Sequence, residues 1–328
     1  MPRSIWTIVV SVWLATSSIL GAAEEGRTLP RIGVVIGSNP SASKPYGQAF
    51  LEGLRDLGYV EGKSFVILSR YADGDNSRFP GILAELIGLN VDVLVVTPTA
   101  ARPAKLATST IPIVLPSHGD PVGHGLVASL AHPGGNITGL SSSMVETEPK
   151  RLELAMEVLP GLKRLGLMFE SVPEITASLS EESAFGALAR RNGVMLRRYA
   201  VSTLGDIQNA TRRAAQDRLQ GVIVVNTSLL VLYRDLIIEG LTVQRVPVIS
   251  GGRDMAESGA LLTYSPDFLD MWKRSASYVD RILRGAKPGD LPIEQPTKFG
   301  LIVNLKSARA LGITIPQSIL VRADEVIR

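Results

Sequence analysis

The chain has 328 residues, 45% apolar and 20% charged, so a sizeable core is assured and ordinary domain size argues for two domains. It has no cysteine, which excludes disulfides, thiolate catalysis, cysteine–zinc sites and a lipid-modified N-terminal Cys. The formal charge is +3; without Arg3, 33 Lys+Arg against 31 Asp+Glu leave +2, too small an excess to imply nucleic acid.

Residues 1–23 read as a secretory signal: Arg3, then the uncharged run Ile5–Leu20, then the small residues Gly21-Ala22-Ala23 before Glu24-Glu25. The run is 16 residues, short of the roughly 20 that span a bilayer, and Thr7, Ser11, Thr16, Ser17 and Ser18 dilute it. Cleavage near Ala23 and export follow. Arg31–Ser38 opens a first lobe as a buried strand, and Tyr46–Leu57 aligns Phe50, Leu54 and Leu57 on one helical face, with Gly58 where a cap belongs. Ser64–Tyr71 is a strand and Ser77–Leu89 a helix capped by Asn76 or Ser77. Val91–Val96 is a strand, Thr97–Leu106 a turn into a helix, and Ile111–Leu115 a strand. Continuous Val/Ile runs between amphipathic helices mean a parallel sheet covered on both faces.

The stretch Ile111–Leu140 joins that strand to another, Ile137–Leu140, through Gly119-Asp120-Pro121, a helix predicted over Val122–Leu130 and the turn His132–Asn136. It marks the end of one α/β lobe and the crossing to the next, with a cleft between. The second lobe repeats the plan in units of about 30 residues. It has helix Glu148–Leu159, strand Leu165–Phe169, a helix near Ile175–Arg191 and strand Met195–Val201. Then come helix Asp206–Asp217, strand Val222–Val225, helix Ser228–Glu239, and strands Val246–Ile249 and Leu261–Tyr264. In the tail, Asp267 caps a helix over Phe268–Leu283. Strand Phe299–Leu305, helix Lys306–Leu311 and a strand near Ile319–Ala323 follow, and the tail is expected to return to the first lobe. The expected units are 28–142 with about 267–290, then 143–266, with 291–328 crossing the hinge.

In an open parallel sheet, ligands sit beyond the carboxyl ends of the strands. The polar exits there are Ser38-Asn39, Thr97–Ala100 and Ser117–Asp120 in the first lobe. In the second they are Glu170-Ser171, Asn226–Ser228, Ser250–Gly252 and Tyr264-Ser265. Hydroxyls and free helix N–H groups suit a carboxylate, and Glu170 or Asp120 an ammonium. Any one of them is explained as a helix cap; their collection on one edge points to binding. His118, His124 and His132 lack the spacing of a helical zinc site and read as solvated turn histidines. The glycine-rich run Gly119–Gly125 lacks the Lys-Ser/Thr ending of a P-loop. There is no GxSxG and no nucleophilic Cys; a Ser171–His118 pair is the single conceivable hydrolase arrangement. Trp272 lies on an apolar helical stripe and reads as core.

Several runs resemble the ABC-transporter solute-binding proteins of the tryptophan/tyrosine-type group. They are Gly53–Gly62 (GLRDLGYVEG), Ala107–Val114 (ATSTIPIV), Gly119–Val122 (GDPV) and Gly125–Leu140 (GLVASLAHPGGNITGL). Ala286–Lys298 (AKPGDLPIEQPTK), Leu311–Pro316 (LGITIP) and Arg322–Ile327 (RADEVI) continue the likeness over essentially all of 30–328. It implies a type I periplasmic-binding-protein-like fold: two parallel-sheet α/β lobes joined by a multi-segment hinge. It further implies a periplasmic monomer without catalytic or metal residues and without cofactor. Its partners would be a small molecule, with an aromatic amino acid favoured, and an ABC permease in the membrane. Two stretches depart from similar chains: Phe169–Pro173 stands in place of an Asn-rich loop, and Ser250–Arg253 lacks an aromatic residue. On this reading Thr97, Thr99 and the N–H groups at Ala100 hold a carboxylate, and Glu170, Asn226 or Asp120 complete the polar set. Tyr46 or Tyr264 covers the apolar part, and Ser38, Asn39, Ser171 and Ser250 line the remaining edge. A ligand sensor for a membrane receptor would share this fold.

Overall fold

The computed structural model describes residues 29–328, so the leader 1–23 lies outside the described residues. Five strands form the first sheet: β1 Arg31–Ile36, β2 Val66–Tyr71, β3 Val93–Val96, β4 Ile113–His118 and β5 Ile137–Ser141. Their order is β2-β1-β3-β4-β5 and every pairing is parallel. The second sheet holds β6 Arg164–Glu170, β7 Met195–Val201, β8 Gly221–Val224, β9 Val248–Ser250, β10 Leu262–Ser265, β11 Gly300–Asn304 and β12 Glu325–Ile327. Its order is β12-β11-β10-β9-β8-β6-β7, parallel except where β11 runs against β10.

Alternate side chains of a strand face opposite ways, and here both faces are covered. Val35, Leu94, Val96 and Leu115 pack into one core of the first sheet, and Ile32, Val34, Val95 and Val114 into the other. Pro116 cannot donate to a ladder, and the β4–β5 register shifts beside it, between Leu115 and His118. The shift works because Gly139 faces it at φ 134°, where a Cβ would stand 2.2 Å from the Leu115 carbonyl oxygen. The irregularity ends β4 on His118.

Helix Pro40–Asp56 starts on an Asn39 cap, whose side chain accepts from the Ala42 N–H at 2.9 Å. Helix Phe268–Leu283 starts on Asp267, which accepts from Leu269 and Asp270. The two helices lie against each other on the first sheet, sharing the core of Phe50, Leu54, Trp272 and Ala276. Gly53 lets them touch: a Cβ there would meet the Lys273 carbonyl oxygen at 2.1 Å. The chain therefore leaves the first sheet after β5, comes back after β10 for this helix, and leaves again before β11. At the last passage Glu294 bridges Leu140, and its carbonyl accepts from the Ser141 N–H at 2.8 Å.

Several expectations are corrected. In the tail, the helix and the segment that follows it through Ile293 pack on the first sheet, whereas 300–304 and 325–327 are strands of the second. Ile319–Ala323 is not a strand, since Gln317–Arg322 is a helix and the strand follows at Glu325–Ile327. Val122–Leu130 forms turns, because Gly123 and Gly125 (φ 64°) end each one before a helix can propagate. The helix near Ile175–Arg191 is two, Pro173–Ser178 and Ala184–Arg191, and that over Ser228–Glu239 is also two, Ser228–Leu232 and Arg234–Val243. A short helix, Arg253–Glu257, has no counterpart in the sequence reading.

Candidate functional site

The carboxyl ends of β1, β3 and β4 face those of β6 and β8 across a cavity of about 310 Å³. Its apolar wall includes Tyr46, Phe79, Phe268 and Trp272, the Tyr46 and Trp272 rings lying 6.0 Å apart. From the second sheet come Val225, Asn226 and Thr227, and from the helix after the first crossing Met144, Thr147, Glu148 and Arg151.

Bonds join the two lobes directly around this space. The Tyr46 hydroxyl donates to Asp254 Oδ2 at 3.1 Å, and Asn76 Nδ2 donates to Glu170 Oε1 at 2.5 Å. Arg102 pairs with Glu174, and His124 Nε2 lies 3.0 Å from Ser178 Oγ. Backbones also come close: a Cβ on Gly37 would stand 2.7 Å from Ser228 Cβ. The lobes are closed on one another.

The charges in the wall are internally balanced. Glu148 and Arg151 are 2% and 3% exposed and form an ion pair one helical turn apart. Arg151 Nε also donates to the Tyr264 carbonyl at 2.8 Å. Burial pushes the Glu148 carboxyl up and the Arg151 guanidinium opposes the shift. Three buried oxygens of the lining, Thr99 Oγ1, Glu148 Oε2 and Thr227 Oγ1, have no hydrogen-bond partner among the described residues.

The histidine expectation is corrected at two of three positions. His118 and His124 are buried in the lining, their rings edge to face at 5.1 Å; His132 alone is exposed. His118 Nδ1 accepts the Asp120 N–H at 3.2 Å, which leaves its proton on Nε2. Burial, reinforced by His124, pushes its pKa down to about 3, so the ring is neutral. Among the described residues no group of three or more His, Asp or Glu is placed to hold a metal ion.

Of the twelve residues singled out from the sequence, Ser38, Tyr46, Thr97, Thr99 and Asn226 line the cavity. The other seven are used elsewhere. Asn39 caps its helix, and Asp120 Oδ1 accepts from Gly123 N–H at 2.7 Å. The Ala100 N–H is spent on the Thr97 carbonyl at 2.9 Å and is not free for a carboxylate. Glu170 is held by Asn76, and burial pushes its carboxyl up. Ser171 lines a separate hollow beside Arg198, so the conceivable Ser171–His118 pair is divided between two hollows. Ser250 Oγ donates to the Val224 carbonyl at 2.6 Å, and the Tyr264 ring stacks on Phe299 at 5.6 Å. Sequence reasoning missed Glu148, Arg151, Phe79 and Phe268, placed His118 at a strand exit but read its ring as solvated, and gave Trp272 to the core alone. Glu148 and Arg151 carried a signal: they stand three apart, on the same helical stripe as Leu152 and Ala155.

Comparisons with known proteins agree on one family. The chain is 25% identical over 276 residues to a tyrosine-binding protein of Clostridioides difficile, covering 84% of this chain and 78% of that one. A crystal structure of a conserved domain protein from Vibrio cholerae superposes with a TM-score of 0.84 at 29% identity, covering 91% of this chain and all of that one. A Streptococcus pneumoniae ABC domain in complex with L-Trp superposes with a TM-score of 0.83 at 25% identity, covering 92% and 100%. Residues 32–327 match the family described as ABC transporter substrate binding protein, and the chain belongs to that family.

Proposed function

We propose that this is an exported solute-binding protein that closes on one aromatic amino acid between its lobes and presents it to an ABC permease. The observation that carries the reading is the cavity itself. Aromatic side chains and unpartnered polar atoms both line it, and both lobes contribute. Its volume is at the small end of ligand sites, which run roughly 300–1,000 Å³. An amphiphilic guest fits such a wall. The relatives support the aromatic choice, one being named for tyrosine and another holding L-Trp. The secretory pattern of residues 1–23 supports the periplasm as the site of action.

The moving bodies in this reading are the first sheet with helix Phe268–Leu283, and the second sheet with its helices. The three crossing segments serve as hinge. A ligand touching both bodies favours the closed state by its differential affinity. The test is thermal-shift and calorimetric screening of the chain from residue 24 against L-Tyr, L-Trp and L-Phe, with aliphatic amino acids, purines and small carboxylates beside them. Trp272, the single Trp after residue 23, reports the cavity by fluorescence. Saturable binding of an aromatic amino acid with a fluorescence change is expected. Binding confined to a non-aromatic compound, or turnover of any of them, would overturn the reading.

A further inference from the structure

We infer that Glu148 reads the ammonium group of the ligand, so that the site selects zwitterions over the corresponding deaminated acids. The inference rests on the proposed amino-acid function and assigns the polar end of that ligand.

Four observations carry it. Glu148 is 2% exposed and lines the cavity. Its Oε1 is engaged by Arg151, while Oε2 has no partner among the described residues. A buried carboxylate oxygen is an acceptor only, so what satisfies it must donate, and an ammonium donates with charge. The other unpartnered oxygens of the wall, Thr99 Oγ1 and Thr227 Oγ1, are hydroxyls and can donate to a carboxylate.

Charge balance points the same way. The ionised side chains of the wall pair off, Glu148 with Arg151 and Arg102 with Glu174. A guest with one net charge would bring an uncompensated charge into a closed, poorly solvated space. A zwitterion brings both signs and no net charge. Glu170, whose Oε2 is likewise unpartnered, and Asp120, whose Oδ1 is taken by the Gly123 N–H, do not line the cavity, which leaves Glu148 for this role.

The experiment compares L-Tyr and L-Trp with their 3-arylpropionates, which lack only the ammonium, on the wild-type chain and on Glu148→Gln. On the wild type, the arylpropionates should bind roughly 10- to 100-fold more weakly than the amino acids. In Glu148→Gln that ratio should collapse to one or below, with the amino acid losing affinity and the arylpropionate, whose carboxylate offsets the charge left on Arg151, keeping or gaining its own. The wild-type comparison stands even if the variant folds poorly. Equal binding of both ligand series to the wild type overturns the inference and leaves the aromatic reading standing. So does an unchanged ratio in a folded Glu148→Gln. Absence of any amino-acid binding overturns the aromatic reading and this inference with it.

Discussion

Gly37→Ala isolates closure from folding. Gly37 follows β1 in the first lobe, and its φ lies outside the left-handed range, so alanine fits the backbone. Its added Cβ would stand 2.7 Å from Ser228 Cβ and 2.8 Å from Ser228 Oγ, across the cleft. Carbon atoms rest at about 3.5–4.0 Å. The lobes must then part by about an ångström at this point, or the start of helix Ser228–Leu232 must move. Ser228 Cβ is fixed to the backbone and cannot rotate away. Overpacking of this kind costs about 1–3 kcal/mol, and it falls mainly on the closed state, since within its own lobe the Cβ meets only Thr99 Oγ1, at 3.2 Å, which a shift of a few tenths of an ångström relieves. Ligand affinity should drop roughly 5- to 150-fold, while the Tm of the ligand-free protein stays put. Calorimetry and thermal unfolding read the two effects. Gly47→Ala is the control, since a Cβ there meets nothing within 4 Å and a helix interior gains from alanine. Wild-type affinity in Gly37→Ala would refute the reasoning, for then the lobes do not meet at Ser228 when ligand is bound. A fall in the ligand-free Tm would also refute it.

Gly53→Ala should act in the opposite way. The new Cβ would collide with the Lys273 carbonyl oxygen inside one lobe, which lowers stability by about 1–3 kcal/mol, read from urea midpoints with and without ligand. His118 should make the fold acid-sensitive. Its pKa is held down to about 3 in the folded chain against about 6.5 unfolded. The unfolded state therefore binds more protons, and stability is full above pH 6.5 and lost as pH falls toward 3. Each unit in that window costs up to about 1.4 kcal/mol for this residue. His118→Asn keeps an acceptor for the Asp120 N–H, and its urea midpoints should fall less steeply between pH 6 and 4. The carboxyls that burial pushes up contribute to both proteins alike, so the difference between the two profiles isolates the imidazole. Parallel profiles would place the ring in solvent.

The sheets were legible because buried parallel strands write themselves as unbroken apolar runs. Val93–Val96 is buried at every position; the edge strand Met195–Val201, which carries Arg197 and Arg198 and is half-exposed, was bounded to the residue by its flanking turns instead. The helix Phe268–Leu283 was equally plain, with Asp267 before it and an apolar stripe along it. What failed depended on distant partners. The β-branched segment Ile319–Ala323 has strand propensity, yet Pro316 opens a helix there and Ile319 buries against the second core. Strand exits located the site, but exits hold caps as well as ligand groups, and the sequence does not separate them. Asn39 and Ser38 are adjacent: one is consumed by the Ala42 N–H and the other faces the cavity. Glu148 escaped notice for a related reason. A charged residue in a helix is ordinarily solvated, and only the tertiary fold turns this one inward.

The central claim is that one guest draws the two lobes together. The chain has no cysteine, so single cysteines at Lys44 and Glu257, exposed on either side of the Tyr46–Asp254 contact, take spin labels cleanly. The inter-label distance, measured by double electron–electron resonance without ligand and with saturating L-Tyr or L-Trp, should move from a broad, longer distribution to a narrow, shorter one. A distribution unchanged by a ligand that demonstrably binds would contradict the account.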